Sequence, residues 1–202
     1  MKEKKAKIAV LVSGGGTNLQ ALIDAEKSGA LYSGGIALVI SNKADAYALV
    51  RAKNAGIETV VIEKTDRATF ESKMIEELES RSIDLIVLAG FMVILSKDFT
   101  DRYPERILNV HPSLIPSFCG EGFYGLKVHR AALDRGVKVT GATVHFVNEI
   151  ADGGKIVMQK AVEVKEGDTP ETLQRRVMEE AEWKILPASC QLICEKITED
   201  IK

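Results

Sequence analysis

The sequence predicts a doubly wound α/β fold, in which helices cover both faces of a mostly parallel sheet of about seven strands. Short apolar runs rich in β-branched residues alternate with segments of helical periodicity along the chain. The run 83–89 shows no polar alternation after Asp84, which is typical of a parallel strand buried on both faces. No internal repeat, low-complexity tract or linker interrupts this alternation, so we expect one domain.

Seven segments have the composition of strands. The first is a short β-branched run that Ser13 and three glycines end, and the last two flank the turn-forming segment 152–154. Such an alternation with helices predicts a Rossmann-like sheet, whose ligands bind at the carboxyl ends of the strands. In chain order the predicted strands are 7–12, 36–40, 57–62, 83–89, 107–110, 138–147 and 155–164.

Helices are predicted between these strands from their start and stop signals. Thr17 and the Gln three residues later have the spacing of a capping box. Ser96 can cap a short helix, and Thr169 followed by Pro170 is a favoured start for the last helix. Pro187 is expected to kink or split that last helix. The predicted helices are 17 to near 29, 44–54, 66–81, 96 to before 104, 126–135 and the segment from 169 onward.

Composition excludes several classes of protein. The 202 residues include 27 basic and 29 acidic side chains, and this balance argues against a dedicated nucleic-acid binder. The longest apolar run, 85–95, is too short to cross a bilayer, and 8–12 is too short for a signal peptide. Three cysteines without a CxxC motif favour a reducing cytoplasm over a disulfide scaffold.

The loop 13–18 after the first strand is rich in glycine. Backbone N–H groups at a helix N-terminus can bind an anion there. Leu19 stands where a dinucleotide fingerprint has glycine, and no Gly-Lys-Ser/Thr follows, so NAD and ATP are disfavoured. The loop predicts a phosphate monoester site, or else a merely tight turn.

Asn109 and His111 lie two residues apart at the end of the fifth predicted strand and therefore point to the same side. An amide beside an imidazole suits oxyanion stabilisation and proton transfer, although a structural histidine remains open. Asp152 is either a turn former or the partner of a histidine, and spacing alone does not link it to His111. His129 and His145 are interpreted as packed or surface histidines.

Six segments together match one known family: 12–20 (VSGGGTNLQ), 41–46 (SNKADA), 88–92 (LAGFM), 108–116 (LNVHPSLIP), 141–147 (GATVHFV) and 152–154 (DGG). Over essentially its whole length the chain resembles the glycinamide ribonucleotide transformylase family of folate-dependent formyltransferases. The resemblance implies one formyltransferase domain over 1–202. Residues of about 6–110 would form the phosphate-binding half, and 111–202 would complete the folate site and add the C-terminal helix.

The resemblance also implies the reaction. A formyl group would pass from the co-substrate 10-formyltetrahydrofolate to the amine of glycinamide ribonucleotide by direct attack, in de novo purine biosynthesis. Asn109 and a charged His111 would stabilise the oxyanion, and Asp152 would support His111. We expect these small molecules as the only partners, with no metal ion, nucleic acid or membrane, in a cytoplasmic monomer or homodimer.

Binding residues carry over position by position. The ribonucleotide site would contain Gly16, Thr17, Asn18 and Glu182. The folate site would contain Arg67, Met92, Val93, Ile94, Leu95, Asn109, Asn148, Glu149, Ile150, Ala151 and Asp152. The chain departs from the family pattern at Val93, where some members have Arg, and in a lengthened loop around 121–124.

Other functions compete with this prediction. A formyltetrahydrofolate hydrolase on the same core would use water in place of the amine, and would carry an additional regulatory domain. A methionyl-tRNA formyltransferase would need a further tRNA-binding domain and a basic surface. A non-catalytic nucleotide-phosphate sensor would need the glycine loop but not the Asn109, His111 and Asp152 trio.

Overall fold

The computed structural model describes residues 5–199 and the backbone of Asp200, and it confirms the predicted α/β class. The ends of the predicted domain, 1–4 and 201–202, lie outside the described residues. The strands are β1 Ala6–Val12, β2 Gly34–Ser41, β3 Glu58–Val61, β4 Leu85–Leu88, β5 Ile107–His111, β6 Val139–Phe146 and β7 Ile156–Glu163. The helices are α1 Thr17–Ser28, α2 Tyr47–Asn54, α3 Arg67–Ser80, α4 Lys97–Arg102, α5 Leu126–Arg135, α6 Pro170–Val177 and α7 Trp183–Asp200, and a π-helical turn, Met178–Glu182, joins the last two.

The strands form one sheet in the order β3-β2-β1-β4-β5-β6-β7. The first five are parallel, whereas β6 pairs antiparallel with both β5 and β7. The chain moves outward from β1 to β3 and then returns to place β4 on the other side of β1. This change of direction opens a crevice at the carboxyl ends of the strands, where ligands of such sheets bind.

Two apolar cores cover the two faces of the sheet. On one face, Leu22 of α1 and Leu186 of α7 pack with Val10 of β1. On the other face, Phe70 of α3 and Phe99 of α4 pack in the second core. Because both faces are covered, β1 and β4 have almost no exposed side chains, as their unbroken apolar runs predicted.

The prediction of a capping box at Thr17 is wrong. Gly16 is the N-cap residue of α1, in the left-handed conformation and without a side-chain hydrogen bond to the helix. Thr17 is the first helical residue, and its hydroxyl faces the sulfur of Met178 at 3.9 Å. The cap predicted at Thr169 is confirmed, and it forms a capping box in which Thr169 and Thr172 bond each other's backbone N–H groups.

The last helix is split as predicted, but not at Pro187, which lies inside α7. The interruption is the π-helical turn Met178–Glu182, which ends directly before Trp183. Pro187 has no N–H group and therefore leaves the carbonyl of Trp183 without its helical hydrogen bond. The second helix is also shorter than predicted and begins at Tyr47.

Candidate active site

Antiparallel pairing of β5 with β6 builds a polar cluster at the carboxyl end of β5. Asn109 and His111 project from the same face of β5, as their spacing predicted. Across the ladder, His145 lies opposite Asn109 and Thr143 lies opposite His111. The Nδ2 atom of Asn109 is 3.1 Å from Nε2 of His145. Two strands distant in sequence thus bring an amide and two imidazoles together.

Asp152 joins this cluster from the loop between β6 and β7. Its Oδ2 atom is 3.4 Å from Nδ1 of His111, and its Oδ1 atom is 3.5 Å from Nε2 of His145. Oδ2 also accepts a hydrogen bond from the N–H of Gly120 at 2.8 Å. Burial opposes ionisation, but nearby His145, the hydrogen bond from the Gly120 N–H and nearby His111 hold the pKa of Asp152 below its usual value. The carboxylate therefore faces both imidazoles in its charged form.

The surroundings of His111 determine which ring nitrogen carries hydrogen. Its Nε2 atom lies 2.9 Å from the carbonyl oxygen of Phe118, which only accepts, so Nε2 carries the hydrogen. Burial lowers the pKa of His111 below its usual value, although Asp152 and the Phe118 carbonyl oppose this effect. The pKa of His111 in the free protein is thus below its usual value, and its Nδ1 atom faces Asp152. The charge expected on His111 during the reaction stays a prediction.

His145 is the residue of this cluster that the sequence interpretation missed. It is 2% exposed, and its Nδ1 atom donates to the Phe146 carbonyl at 2.7 Å. In its neutral form Nε2 therefore accepts from the Asn109 amide, which fixes the rotation of that amide. The available signal was Thr143 and His145, two polar side chains alternating with apolar residues in a strand that could pair with β5.

The glycine loop after β1 is shaped for an anion. The carbonyl of Gly14 accepts from the Ala48 N–H at 3.0 Å, and the carbonyl of Gly15 accepts from Nε of Arg51 at 2.8 Å. The first N–H groups of a helix have no partner inside the helix, so an anion at this loop would provide acceptors for those of α1. Gly16 has φ 72°, and a Cβ there would lie 2.6 Å from that of Ala48, so only glycine fits.

The residues expected to bind the ribonucleotide are brought together by the π-helical turn. Nδ2 of Asn18 donates to Oε2 of Glu182 at 2.8 Å, and both side chains are largely screened from water. Burial raises the pKa of Glu182 to about 6. The Oδ1 atom of Asn18 is buried without a partner among the described residues, which marks an unfilled acceptor beside the loop.

The expected folate residues fall into two loops near the cluster. Met92 and Ile94, after β4, and Ile150, after β6, are more than half exposed although they are large and apolar. Ser13 links the first loop to the glycine loop by accepting from the Met92 N–H at 3.0 Å. Exposed apolar side chains of this kind are typical of the surfaces against which flat rings pack.

The remaining expected folate residues differ in their access to a ligand. Leu95 is 3% exposed and packs in the second core, so its side chain supports the loop and does not line a site. Val93 packs partly against the same core. Arg67 is exposed one turn before Glu71, whose carboxylate accepts from the Ser96 N–H at 2.8 Å. In the second loop, Asn148 Oδ1 accepts from the Ile150 N–H at 3.1 Å, while Glu149 is exposed and Ala151 is half-buried.

A groove of about 760 Å³ lies between α1 and α7 and is lined partly by Thr17, Arg51 and Trp183. It flanks the glycine loop and contains no residue of the Asn109 cluster. Among residues 5–199, no group of three or more His, Cys, Asp or Glu side chains is arranged to hold a metal ion. No described helix is both long and apolar enough to cross a membrane.

The model of the formyl transferase family matches residues 6–189, which include the whole polar cluster and the glycine loop. The chain belongs to the formyl transferase family. Its relatives in this family include the phosphoribosylglycinamide formyltransferases of Haemophilus influenzae and Escherichia coli. The first is 47% identical over 90% of this chain and 84% of that protein, and the second is 43% identical over 84% of this chain and 79% of that protein.

Solved formyl transferase structures share the fold. The chain superimposes on glycinamide ribonucleotide transformylase 1 of Symbiobacterium toebii with a TM-score of 0.88 and 43% identity, covering 95% of this chain and 89% of that one. It is also 49% identical to part of the human trifunctional purine biosynthetic protein adenosine-3, over 95% of this chain. The chain spans 19% of the length of that relative.

Proposed function

We propose that this protein transfers a formyl group from 10-formyltetrahydrofolate to the amine of glycinamide ribonucleotide in purine biosynthesis. The proposal depends above all on the meeting of Asn109, His111 and Asp152 at the end of β5. The glycine loop follows β1, two strands away, which is roughly 10 Å along the sheet edge. That arrangement suits a substrate with a phosphate at one end and a nucleophilic amine at the other, and the names of the relatives support it.

Asn109 acts on the formyl oxygen. The amine nitrogen attacks the formyl carbon, and the carbonyl electron pair moves onto the oxygen to give a tetrahedral intermediate. One hydrogen of the Asn109 amide is directed to His145, and the second is free to donate to this oxyanion. Such a preorganised donor stabilises the charge that develops in the transition state.

His111 carries the proton from one nitrogen to the other. The Phe118 carbonyl occupies Nε2, so the amine releases its proton to Nδ1. The resulting imidazolium lies beside Asp152, which stabilises it, and its charge also favours the oxyanion. When the bond between the formyl carbon and N10 breaks, N10 receives this proton and tetrahydrofolate leaves. The expected charge on His111 thus arises during the reaction.

Each substrate is held by residues from both halves of the chain. Gly16, Thr17, Asn18 and Glu182 hold the phosphoribosyl end of one substrate, and the loops 92–95 and 148–152 hold the folate beside Asp152. Orienting both substrates in one crevice supplies much of the rate, and no covalent enzyme intermediate is needed. The three cysteines are free thiols, which suits a reducing cytoplasm.

The test is the release of tetrahydrofolate, followed by absorbance with and without glycinamide ribonucleotide. We expect release only when the ribonucleotide is present, and a fall on the order of 10²–10³ in turnover for His111→Ala. Release without the acceptor would identify a hydrolase, and saturable ribonucleotide binding without release would identify a sensor. Near-normal transfer by folded His111→Ala would refute the assigned role of His111.

A further inference from the structure

His111 belongs to a row of side chains that crosses three strands. Thr143 of β6 lies directly opposite His111 of β5, and Gln159 of β7 lies directly opposite Thr143. Residues opposite each other in antiparallel strands project on the same face of the sheet. The row therefore runs from the cluster to an exposed glutamine on the edge strand.

The hydroxyl of Thr143, in the middle of the row, is fully used. It donates to the carbonyl of Ser113 at 2.7 Å and accepts from the N–H of Ile115 at 3.1 Å. Its second lone pair accepts from Nε2 of Gln159 at 3.0 Å. A hydroxyl has one donor and two acceptor positions, so this buried hydroxyl can form no further hydrogen bond. Its bonds to Ser113 and Ile115 hold the segment 113–115 in one position against β6.

Gln159 holds the same segment from the other side. Its Nε2 atom also donates to the carbonyl of Ile115 at 3.0 Å. Both backbone groups of Ile115 are thus bound by neighbouring side chains of the row, the N–H by Thr143 and the carbonyl by Gln159. The two hydrogens of one amide group join the sheet edge to the segment.

Two hydrogen bonds join the residues just before Ile115 to Ser117, the neighbour of Phe118. The Ser117 N–H donates to the Leu114 carbonyl at 2.9 Å, and the Ser113 hydroxyl donates to the Ser117 carbonyl at 2.5 Å. Phe118 follows in the left-handed conformation, with φ 49°, and its carbonyl accepts from Nε2 of His111. The position of that carbonyl depends on how firmly 113–117 is held, because Phe118 itself sits in a strained conformation.

We propose that Gln159 is a positioning residue for His111, and this rests on the proposed role of His111 in formyl transfer. Its amide fixes the segment 113–118, so that the Phe118 carbonyl keeps the hydrogen of His111 on Nε2 and leaves Nδ1 basic. Gln159 itself touches neither substrate. The chemistry requires an amide at this position because both of its contacts, the Ile115 carbonyl and the Thr143 hydroxyl, receive hydrogens from it.

Gln159→Met is the decisive variant, because Met has a similar length but donates no hydrogen bond. Gln159→Glu is a second variant, since a carboxylate also donates nothing and faces the Ile115 carbonyl. Lys160→Met is the matched control, because the side chain of the next residue along β7 points to the opposite face. Thermal unfolding verifies that all three variants fold, which the exposure of both positions favours.

Two measurements test the proposal. The first is the ¹⁵N spectrum of the imidazoles in the free protein, which contains only three histidines. We expect the His111 signals to move from the Nε2–H form towards a mixture of tautomers in both Gln159 variants but not in Lys160→Met. The second is steady-state formyl transfer, for which we expect kcat to fall about tenfold with little change in KM for the ribonucleotide.

Unchanged His111 signals in Gln159→Met would overturn the proposal, even if kcat fell. Unchanged kcat despite altered signals would also overturn it, because the orientation of His111 would then not matter to the reaction. If the wild-type protein transferred no formyl group, the proposed function would fail. The imidazole spectrum would still decide by itself whether Gln159 positions His111.

Discussion

The buried carboxylate of Glu182 accepts a hydrogen bond from Nδ2 of Asn18 at 2.8 Å, although 164 residues separate the two in sequence. The π-helical turn that ends at Glu182 directs its side chain towards the start of α1. Irregular turns of this kind occur often at functional sites. The contact joins the last third of the chain to the glycine loop. Ionisation of the buried Glu182 carboxyl opposes the stability of this contact.

Glu182→Gln is expected to stabilise the protein at pH 8. Burial raises the pKa of Glu182 to about 6, so folding favours the neutral acid, and this contribution is lost as the pH rises through 6. Glutamine stays neutral at all pH values and accepts the same bond from Asn18. We expect the free energy of unfolding to rise by about 1–2 kcal/mol at pH 8, with no gain below pH 4.5.

Urea unfolding of both proteins at pH 4.5 and pH 8 measures this difference. The KM for the ribonucleotide should rise in the same variant, because a charged acceptor beside the loop is lost. A stability gain that does not depend on pH would contradict the role of ionisation.

Gly16→Ala is expected to destabilise the glycine loop. The φ of 72° is unfavourable for alanine, and the new Cβ would lie 2.6 Å from the Cβ and 2.8 Å from the Cα of Ala48. We expect a loss of about 1–3 kcal/mol in the free energy of unfolding. Gly15→Ala is the matched control, because its Cβ would meet nothing within 4 Å. Equal stability of the two variants, measured by chemical denaturation, would refute this steric argument.

Asp168→Asn is expected to lower stability and to change its dependence on pH. The two oxygens of Asp168 bind Arg176 at 2.5 and 2.6 Å, and the carboxylate is only 4% exposed. Arg176 therefore holds the pKa of Asp168 far below its usual value. Such a bidentate pair stabilises the folded protein above the pKa of about 4 that Asp168 has in the unfolded chain. This stabilisation is lost as the pH falls towards the pKa of Asp168 in the folded protein.

At pH 7 we expect Asp168→Asn to lower the free energy of unfolding by about 2–3 kcal/mol. The difference from wild type should shrink steadily below pH 4. Asp101→Asn is the control, because its pair with Lys97 is exposed and contributes little to stability. Thermal unfolding midpoints from pH 3 to pH 7 measure both. A constant difference over this range would show that the charge of Asp168 is not what stabilises the protein.

Asp152→Asn is expected to make His111 harder to protonate. Asp152 raises the pKa of His111 against the larger, opposing effect of burial, so its removal leaves burial less opposed. The NMR titration of His111 should move to lower pH, and turnover should fall on the order of 10²–10³. A titration that stays in place or moves upward would show that Asp152 does not stabilise the imidazolium.

The alternation of segments predicted the fold because it depends on local chemistry. Apolar runs without polar alternation, such as the one in β4, have a stable place only inside a covered parallel sheet. The spacing of Asn109 and His111 likewise placed both side chains on one face of a strand before any partner was known. Gly16 was anticipated in the phosphate loop, although the structure assigns the helix cap to it and not to Thr17.

The pairing of the cluster was not contained in these local patterns. Asp152 contacts His111 and His145 through a loop, and His145 joins Asn109 only because β6 turns back antiparallel to β5. A histidine alternating in a strand is compatible with a core position, a surface position or a site, and the choice depends on which strand lies beside it. The lowered pKa of His111 also follows from burial, which is a property of the assembled fold.

The sequence by itself determined the order of the elements, the glycine turn and the amide and imidazole that share one face of β5, since each depends on neighbouring residues. The tertiary structure decided which distant groups meet: Asp152 at His111 and His145, Glu182 at Asn18, and Gln159 at the segment that carries Phe118. The physical reason is that strand order, register and burial arise only when distant segments pack. Those three features set both the distances and the proton positions on which the chemistry depends.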